Sequence, residues 1–169
     1  MLIGHLPAGY LAATPLLDRL SVPARDRWAL LGIALAGSVA PDLDLLYFYT
    51  LGGDLHHHAL VPHWPLFWIA LTAIGLVVAA LRKSRFLALA TAFGGGAALS
   101  HLVLDSIAGA VRWGAPFSTY ETTLVEVPAT HGWWVWSMAT HWTFAVEVAL
   151  ALAAFAVWRL RQRRAAITA

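Results

Sequence analysis

Four long apolar runs constrain this chain more than any other feature. Residues 28–41 and 64–81 carry no charged side chain, 86–104 carry only His101 as a titratable group, and 142–158 carry only Glu147. With its flanks, each run reaches the roughly 20 residues that a helix needs to cross the hydrocarbon layer. The composition agrees: 60% of the residues are hydrophobic and 12% charged, where a soluble domain carries about 25% charged residues. A water-soluble monomer, a disordered chain, a collagen and a coiled coil are thereby excluded. A length of 169 residues allows one domain, so residues 1–169 are expected to form a single membrane-embedded all-α domain.

Leu2–Leu17 is shorter and contains His5, Pro7 and Pro15. It lacks a basic n-region and a small-residue cleavage site, so it reads as a retained short helix and not as a signal peptide. The expected fold is an integral membrane bundle of about five helices, four full spans plus this short N-terminal one. Basic residues cluster at Arg19/Arg25/Arg27, Arg82/Lys83/Arg85 and Arg159/Arg161/Arg163/Arg164. The positive-inside rule places all three clusters, and the C-terminus, on the cytoplasmic side of what reads as a prokaryotic inner membrane. Trp64, Trp133, Trp134, Trp136 and Trp142 then mark the outer boundary, with Trp28 and Trp158 at the inner one. Gly94–Gly96, followed by Ala97 and Ala98, gives one helix a face on which a neighbour can approach closely.

The polar residues gather under this topology. His5, Asp42, Asp44, His56–His58, His63, His101, Asp105 and His141 are spread over about 140 positions, yet alternating crossings bring them all to the outer end. Ionisable groups at membrane depth are expensive and point to function by default. There is no cysteine, so thiolate zinc sites, iron–sulfur clusters and disulfides are excluded, and any metal must be held by the eight His and nine Asp/Glu.

Four elements carry the chemistry. In Ser100-His101-Leu-Val-Leu-Asp105 the i, i+4 spacing puts imidazole and carboxylate on one helical face. There both can bind a metal, the carboxylate can orient the imidazole, or the two can form a single buried hydrogen bond. In Ala40-Pro41-Asp42-Leu43-Asp44 the two carboxylates serve one centre only if Pro41 interrupts the helix; otherwise one of them is a helix cap. In His56-His57-His58-Ala-Leu-Val-Pro-His63, next to Asp54, the turn before Pro62 can bend His58 and His63 inward, while at least one of the three consecutive histidines is expected in solvent. His141 and Glu147 would stand about 120° apart on a helix and about 9 Å along it, so they need not share a metal. Glu147, lying deeper, is expected to pair inside the bundle as a ligand or as an acceptor behind one. Arg112 is the only basic residue of the outer half; it can hold a phosphate by paired hydrogen bonds, reach lipid headgroups, or pair with Glu121 or Glu126. His131, beside the Trp-rich stretch, reads as interfacial.

His5, Ala-Pro-Asp42-Leu-Asp44, His58 and His63, Ser-His101-Leu-Val-Leu-Asp105-Ser with the following Gly109 and Pro116-Phe117, and His141 with Glu147 resemble, in order and spacing, the YdjM-type family of membrane-bound metal-dependent hydrolases. The resemblance covers nearly the whole chain. It implies metal-ligand roles for His5, Asp42 or Asp44, His58, His63, His101, Asp105 and His141, with Glu147 as a further candidate. It also implies a more distant relation to the zinc-dependent phospholipase C and single-strand nuclease superfamily, whose helical sites hydrolyse phosphoesters. The third element departs from the family pattern: Ala59-Leu60, Pro62 and Trp64 stand where an Arg-Gly pair, a Thr and a Ser are usual. That departure either shifts substrate binding to Arg112 or marks a changed substrate class.

A metal-dependent hydrolase of lipid or lipid-linked phosphoesters is therefore the expected function, with Asp42, Asp44, Arg112 and Glu147 in catalytic roles. Nitrogen and oxygen donors without thiolate suit zinc, one to three ions, ahead of manganese or iron. A metal-ion or small-solute transporter predicts polar groups at several depths, which the inner halves of these helices lack. A non-catalytic adaptor would keep the cluster as a closed structural site. The formal charge of +2, with no basic stripe, gives no support for nucleic-acid binding.

Overall fold

The computed structural model describes residues 1–51 and 57–168. Asp54 and His56 lie outside the described residues, as does the side chain of His57. The described chain is all-helical: α1 (His5–Asp18), α2 (Ala24–Gly37), α3 (Asp44–Leu51), α4 (Pro65–Leu81), α5 (Arg85–Ala108), α6 (Trp134–Thr140) and α7 (Phe144–Thr168), with short 3-10 turns at Pro41–Leu43, His57–Ala59 and Val61–His63. One isolated bridge, between Val111 and Thr122, is the β pairing seen among these residues.

Among the described residues, one helix is long and apolar enough to cross a membrane alone. This is α5, whose 24 residues extend about 36 Å at 1.5 Å per residue. The second apolar run is broken: α2 stops at Gly37, and α2 and α3 qualify only together, across a 55° bend. Pro41 has no N–H to continue the helical ladder and instead opens the 3-10 turn. The last run, 142–158, is one helix from Phe144 on, but it begins at a break. Trp134–Thr140 and the helix after it meet at 72°, because His141 is extended (ψ 147°) and its ring bonds Thr143 at 3.0 Å, diverting that turn from helix. The helical-wheel separation of His141 and Glu147 therefore does not apply. α4 is apolar but has 17 residues; Pro65 at its first position presets the helical φ.

α5 is the hub, packed against α2 and α4, while α1 packs against α2 and α7. The small residues set these approaches. A Cβ on Gly37 would lie 2.4 Å from the Gly94 carbonyl oxygen, and one on Gly95 would lie 1.9 Å from Thr72 Oγ1. Buried Ala13, Leu17, Leu30 and Ala34 form the α1/α2 core. Large side chains such as Ile74, Val77, Leu152 and Phe155 point outward and are exposed, as a bilayer-facing surface requires. Lys83 takes a left-handed turn (φ 48°) between α4 and α5, and Ser84 caps α5 by accepting from Leu87 N at 3.2 Å.

The starts of α1 and α7 and the ends of α2 and α5 meet at one end of the molecule. Beyond α5 the chain folds back on that end. The Val111–Thr122 bridge is tied down by Leu124 N donating to Ser106 O at 2.8 Å and Trp113 Nε1 donating to Ser106 Oγ at 2.8 Å.

Candidate metal centre

Asp105, on the last turns of α5, is completely buried and is the focus of the site. His101, one turn earlier, brings Nε2 to 2.9 Å from Asp105 Oδ2; His63 and His58 bring theirs to 3.5 Å from the same oxygen, and His5 Nε2 lies 3.1 Å from Oδ1. The amino nitrogen of Met1 also reaches Oδ1, at 2.5 Å. Asp42 Oδ1 completes the ring, 3.6 Å from His101 Nε2 and 3.8 Å from His63 Nε2. One donor atom each from Asp42, His63, His101 and Asp105 falls within 4.8 Å of every other, a spacing that admits a metal ion. The His5 and His101 rings stack at 3.6 Å, and the His58 ring centroid lies 4.5 Å from that of His63.

The orientation of the imidazoles is the more telling observation. His101 Nδ1 lies 2.8 Å from Ser38 O and His58 Nδ1 lies 3.1 Å from Ala110 O. A carbonyl can only accept, so Nδ1 carries the proton in both rings, and in the neutral form the Nε2 lone pair faces the carboxylates. His63 Nδ1 is held by Asp44 Oδ2 at 2.6 Å, again leaving Nε2 turned inward. This is how metal-binding histidines are held: the outer nitrogen on a carbonyl or carboxylate, the inner one toward the ion. His101 Nε2 and Asp105 Oδ2 are both buried and make no hydrogen bond despite their 2.9 Å separation. Two acceptors left facing each other in the interior need a proton or a cation between them.

Burial disfavours the charged form of His63, but the nearby Asp105 carboxylate and the bond to Asp44 outweigh this and raise its pKa to about 9. Without a metal, His63 is therefore an imidazolium at neutral pH.

The structure separates the two aspartates that the sequence leaves equivalent. Asp42 faces the ring directly, whereas Asp44 stands behind His63. Glu147, 2% exposed, accepts from Ile3 N at 2.6 Å and Gly4 N at 2.9 Å. It thereby caps the start of α1, where Gly4 offers no side chain, and so fixes His5. His141 is not brought into the four-residue group; its neighbours are Thr143 and Trp142. Arg112 pairs with Glu121 at 2.8 Å and 2.9 Å, and exposed His131 contacts Thr130.

Two contributors carry little or no sequence signal. The Ser38 and Ala110 carbonyls orient imidazoles, and any residue type supplies a carbonyl. Gly109 makes room for His58: a Cβ there would lie 2.7 Å from His58 Cε1. Its glycine identity was the one visible trace. Asp42 and His58 also line a cavity of about 780 Å³, bounded by Phe48, Tyr49, Trp134 and the segment after α5.

Helices too apolar for water that close around a buried His/carboxylate cluster define a membrane protein with a candidate metal site. A family model described as YdjM inner membrane protein matches residues 1–166, and the chain belongs to that family. No curated protein and no solved structure matches it significantly.

Proposed function

We propose that the protein is a membrane-bound metal-dependent hydrolase acting on phosphoester bonds of a lipid or lipid-linked substrate. The observation that carries this reading is the set of three imidazoles whose Nδ1 atoms are held from outside while their Nε2 atoms face Asp42 and Asp105. His63, His101, Asp42 and Asp105 would hold the first ion. His5, at Asp105 Oδ1, and His58, at Oδ2 beside His63, are the donors for a second. His141 would join only by rearrangement of its turn. Zinc suits the donor set best, with manganese or iron as alternatives.

When bound, such an ion lowers the pKa of a coordinated water and polarises the phosphoryl oxygen. The chain's own contribution is orientation. Asp44 fixes the His63 ring, the Ser38 carbonyl fixes His101, and Glu147 fixes the start of α1. Asp42 is 26% exposed and lines the 780 Å³ cavity, so it stands where substrate meets the ring. Arg112 could bind a phosphate on leaving Glu121. The basic clusters support an integral bundle of about five helices with this end outside and the C-terminus in the cytoplasm.

The test is elemental analysis of detergent-purified wild type and His101→Ala, with hydrolysis assayed on bis(p-nitrophenyl) phosphate and on phospholipid micelles. Stoichiometric metal and phosphoester hydrolysis in the wild type, both lost in the variant, is the expected result. Bound metal without hydrolysis of either substrate would favour a structural site; metal uptake into proteoliposomes would favour a transporter.

A further inference from the structure

Small residues in this bundle serve two purposes. Gly94 and Gly95 are small because a neighbouring helix lies against them, but a Cβ on Gly96 would meet nothing within 4 Å. Gly96 instead floors a lateral cleft of about 290 Å³ between α1, α2 and α5. Ala12 and Leu16 line it from α1, and Ala92, Phe93 and Ala97 from α5. Its one hydroxyl, Ser100 Oγ, already donates to Ala97 O at 2.7 Å, so the cleft asks for no hydrogen bond. An apolar cavity of this kind is not filled by water. Ala12, Leu16, Ala92 and Gly96 are exposed, and with no side chain on Gly96 they leave a trough between α1 and α5.

The trough leads to the metal centre. Gly9 lines it one turn from His5, and Ala97 lines it one turn before His101, so on each helix the cleft and the site lie along one face. From Ser100 to Ala92 it extends about 12 Å along α5, away from the site end. A second helix does not fit: at about 10 Å across, even two turns need several times this volume. A single alkyl chain does.

We infer that the α1/α5 cleft takes one acyl chain of a membrane lipid, entering sideways from the bilayer and placing the polar end of that lipid at His5 and His101. That this lipid is the substrate rests on the hydrolase reading; the occupancy of the cleft does not.

The experiment uses the full chain in phosphatidylcholine nanodiscs doped with a phosphatidylcholine that carries a mid-chain diazirine. After photolysis, adducts on residues 12–16 and 92–97 are compared with adducts on the outward face of α4 at Ile74 and Val77. Cleft adducts should saturate as the probe fraction rises while α4 adducts grow in proportion. Gly96→Leu, and independently Ala12→Leu from the opposite wall, should cut cleft adducts at least fivefold and leave the α4 adducts unchanged. Gly96→Leu should also slow hydrolysis of the diacyl lipid at least tenfold and spare bis(p-nitrophenyl) phosphate. Cleft adducts that never saturate, or that survive both substitutions, overturn the inference. Saturable adducts on a protein that hydrolyses neither substrate would sustain the cleft and remove the hydrolase reading.

Discussion

The two ends of the bundle use the same kinds of side chain to opposite effect. At the site end, His63, His101 and Asp105 are 0% exposed and no Lys or Arg lies among them. At the other end, Asp18 is bound by Arg161 at 2.6 Å and 2.8 Å and by Arg27 at 2.8 Å, with about half of the Asp18 side chain in contact with solvent. A carboxylate amid cations in solvent is satisfied by its neighbours. A buried carboxylate on which four imidazoles and the Met1 amino group converge is held instead by groups that can give up a proton to an incoming ion. Acidic and basic residues alone do not make a site; burial of a carboxylate among imidazoles, with no Lys or Arg in place, does.

The largest effect that follows is on Asp105. Asp105→Ala removes the oxygens on which His5, His58, His63 and His101 converge, and should abolish stoichiometric metal binding, read by elemental analysis of the purified protein. A variant that keeps its metal would show that the two ends differ only in exposure. Glu147→Ala comes next. It leaves the Ile3 and Gly4 N–H groups buried without an acceptor, a loss of about 1–3 kcal/mol per group, and frees His5. Metal affinity should fall about 10- to 100-fold, as for other residues that orient ligands, and Glu147→Gln, which keeps an amide oxygen, should recover part of it. Competition titration with a chromogenic chelator measures both.

A contrast within α2 and α5 sharpens the comparison at the level of packing. Gly37→Ala places a methyl 2.4 Å from backbone that cannot rotate away. It should destabilise the protein by about 1–3 kcal/mol, and since Ser38 follows Gly37 it should weaken metal retention too. Gly96→Ala meets open space and should be neutral or stabilising by up to about 1 kcal/mol through helix propensity. Thermal unfolding in detergent separates the two, and equal destabilisation would contradict the assignment of Gly96 to a cleft.

These contrasts also show what the sequence makes legible. The His101/Asp105 pair is readable because four residues is one helical turn, and the gathering of His5, His63 and Asp42 at one end follows from counting alternating crossings. The breaks were less visible. Hydropathy does not register that Pro41 ends a ladder or that His141 prefers Thr143 to the next helical turn, so the bends before Asp44 and before Phe144 go unread. The roles of Asp42 and Asp44 differ by which side of the His63 ring each occupies, and two carboxylates separated by one residue carry no record of that. Three glycines in a row are alike in sequence; their neighbours Ile33, Thr72 and empty space are not.

Proton linkage gives a further test of the site end. His63, raised to about 9, must lose its proton before Nε2 can bind an ion. Metal binding at neutral pH should therefore release protons, and apparent affinity should increase with pH up to about 9 and weaken as pH falls. Calorimetry in buffers of different ionisation enthalpy counts the protons. Replacing Asp44 with Asn should reduce the count, because one of the two carboxylates holding the imidazolium is gone.

At the other end the linkage has the opposite sign and a small size. The Arg161 hydrogen bonds hold the Asp18 carboxyl below its usual 3.8, with Arg27 adding to the effect. Its pairing is therefore present in full above pH 3.8 and is lost as the pH falls through the lowered folded value. Exposed as it is, the pair should contribute within about 0–1 kcal/mol and less in salt. Asp18→Asn should lower the unfolding temperature by only a degree or two at neutral pH and low salt, with no difference from wild type in high salt and no change in metal content. Loss of metal in this variant would mean that the two ends are coupled through α1, which joins Asp18 to His5, and the contrast drawn between them would fail.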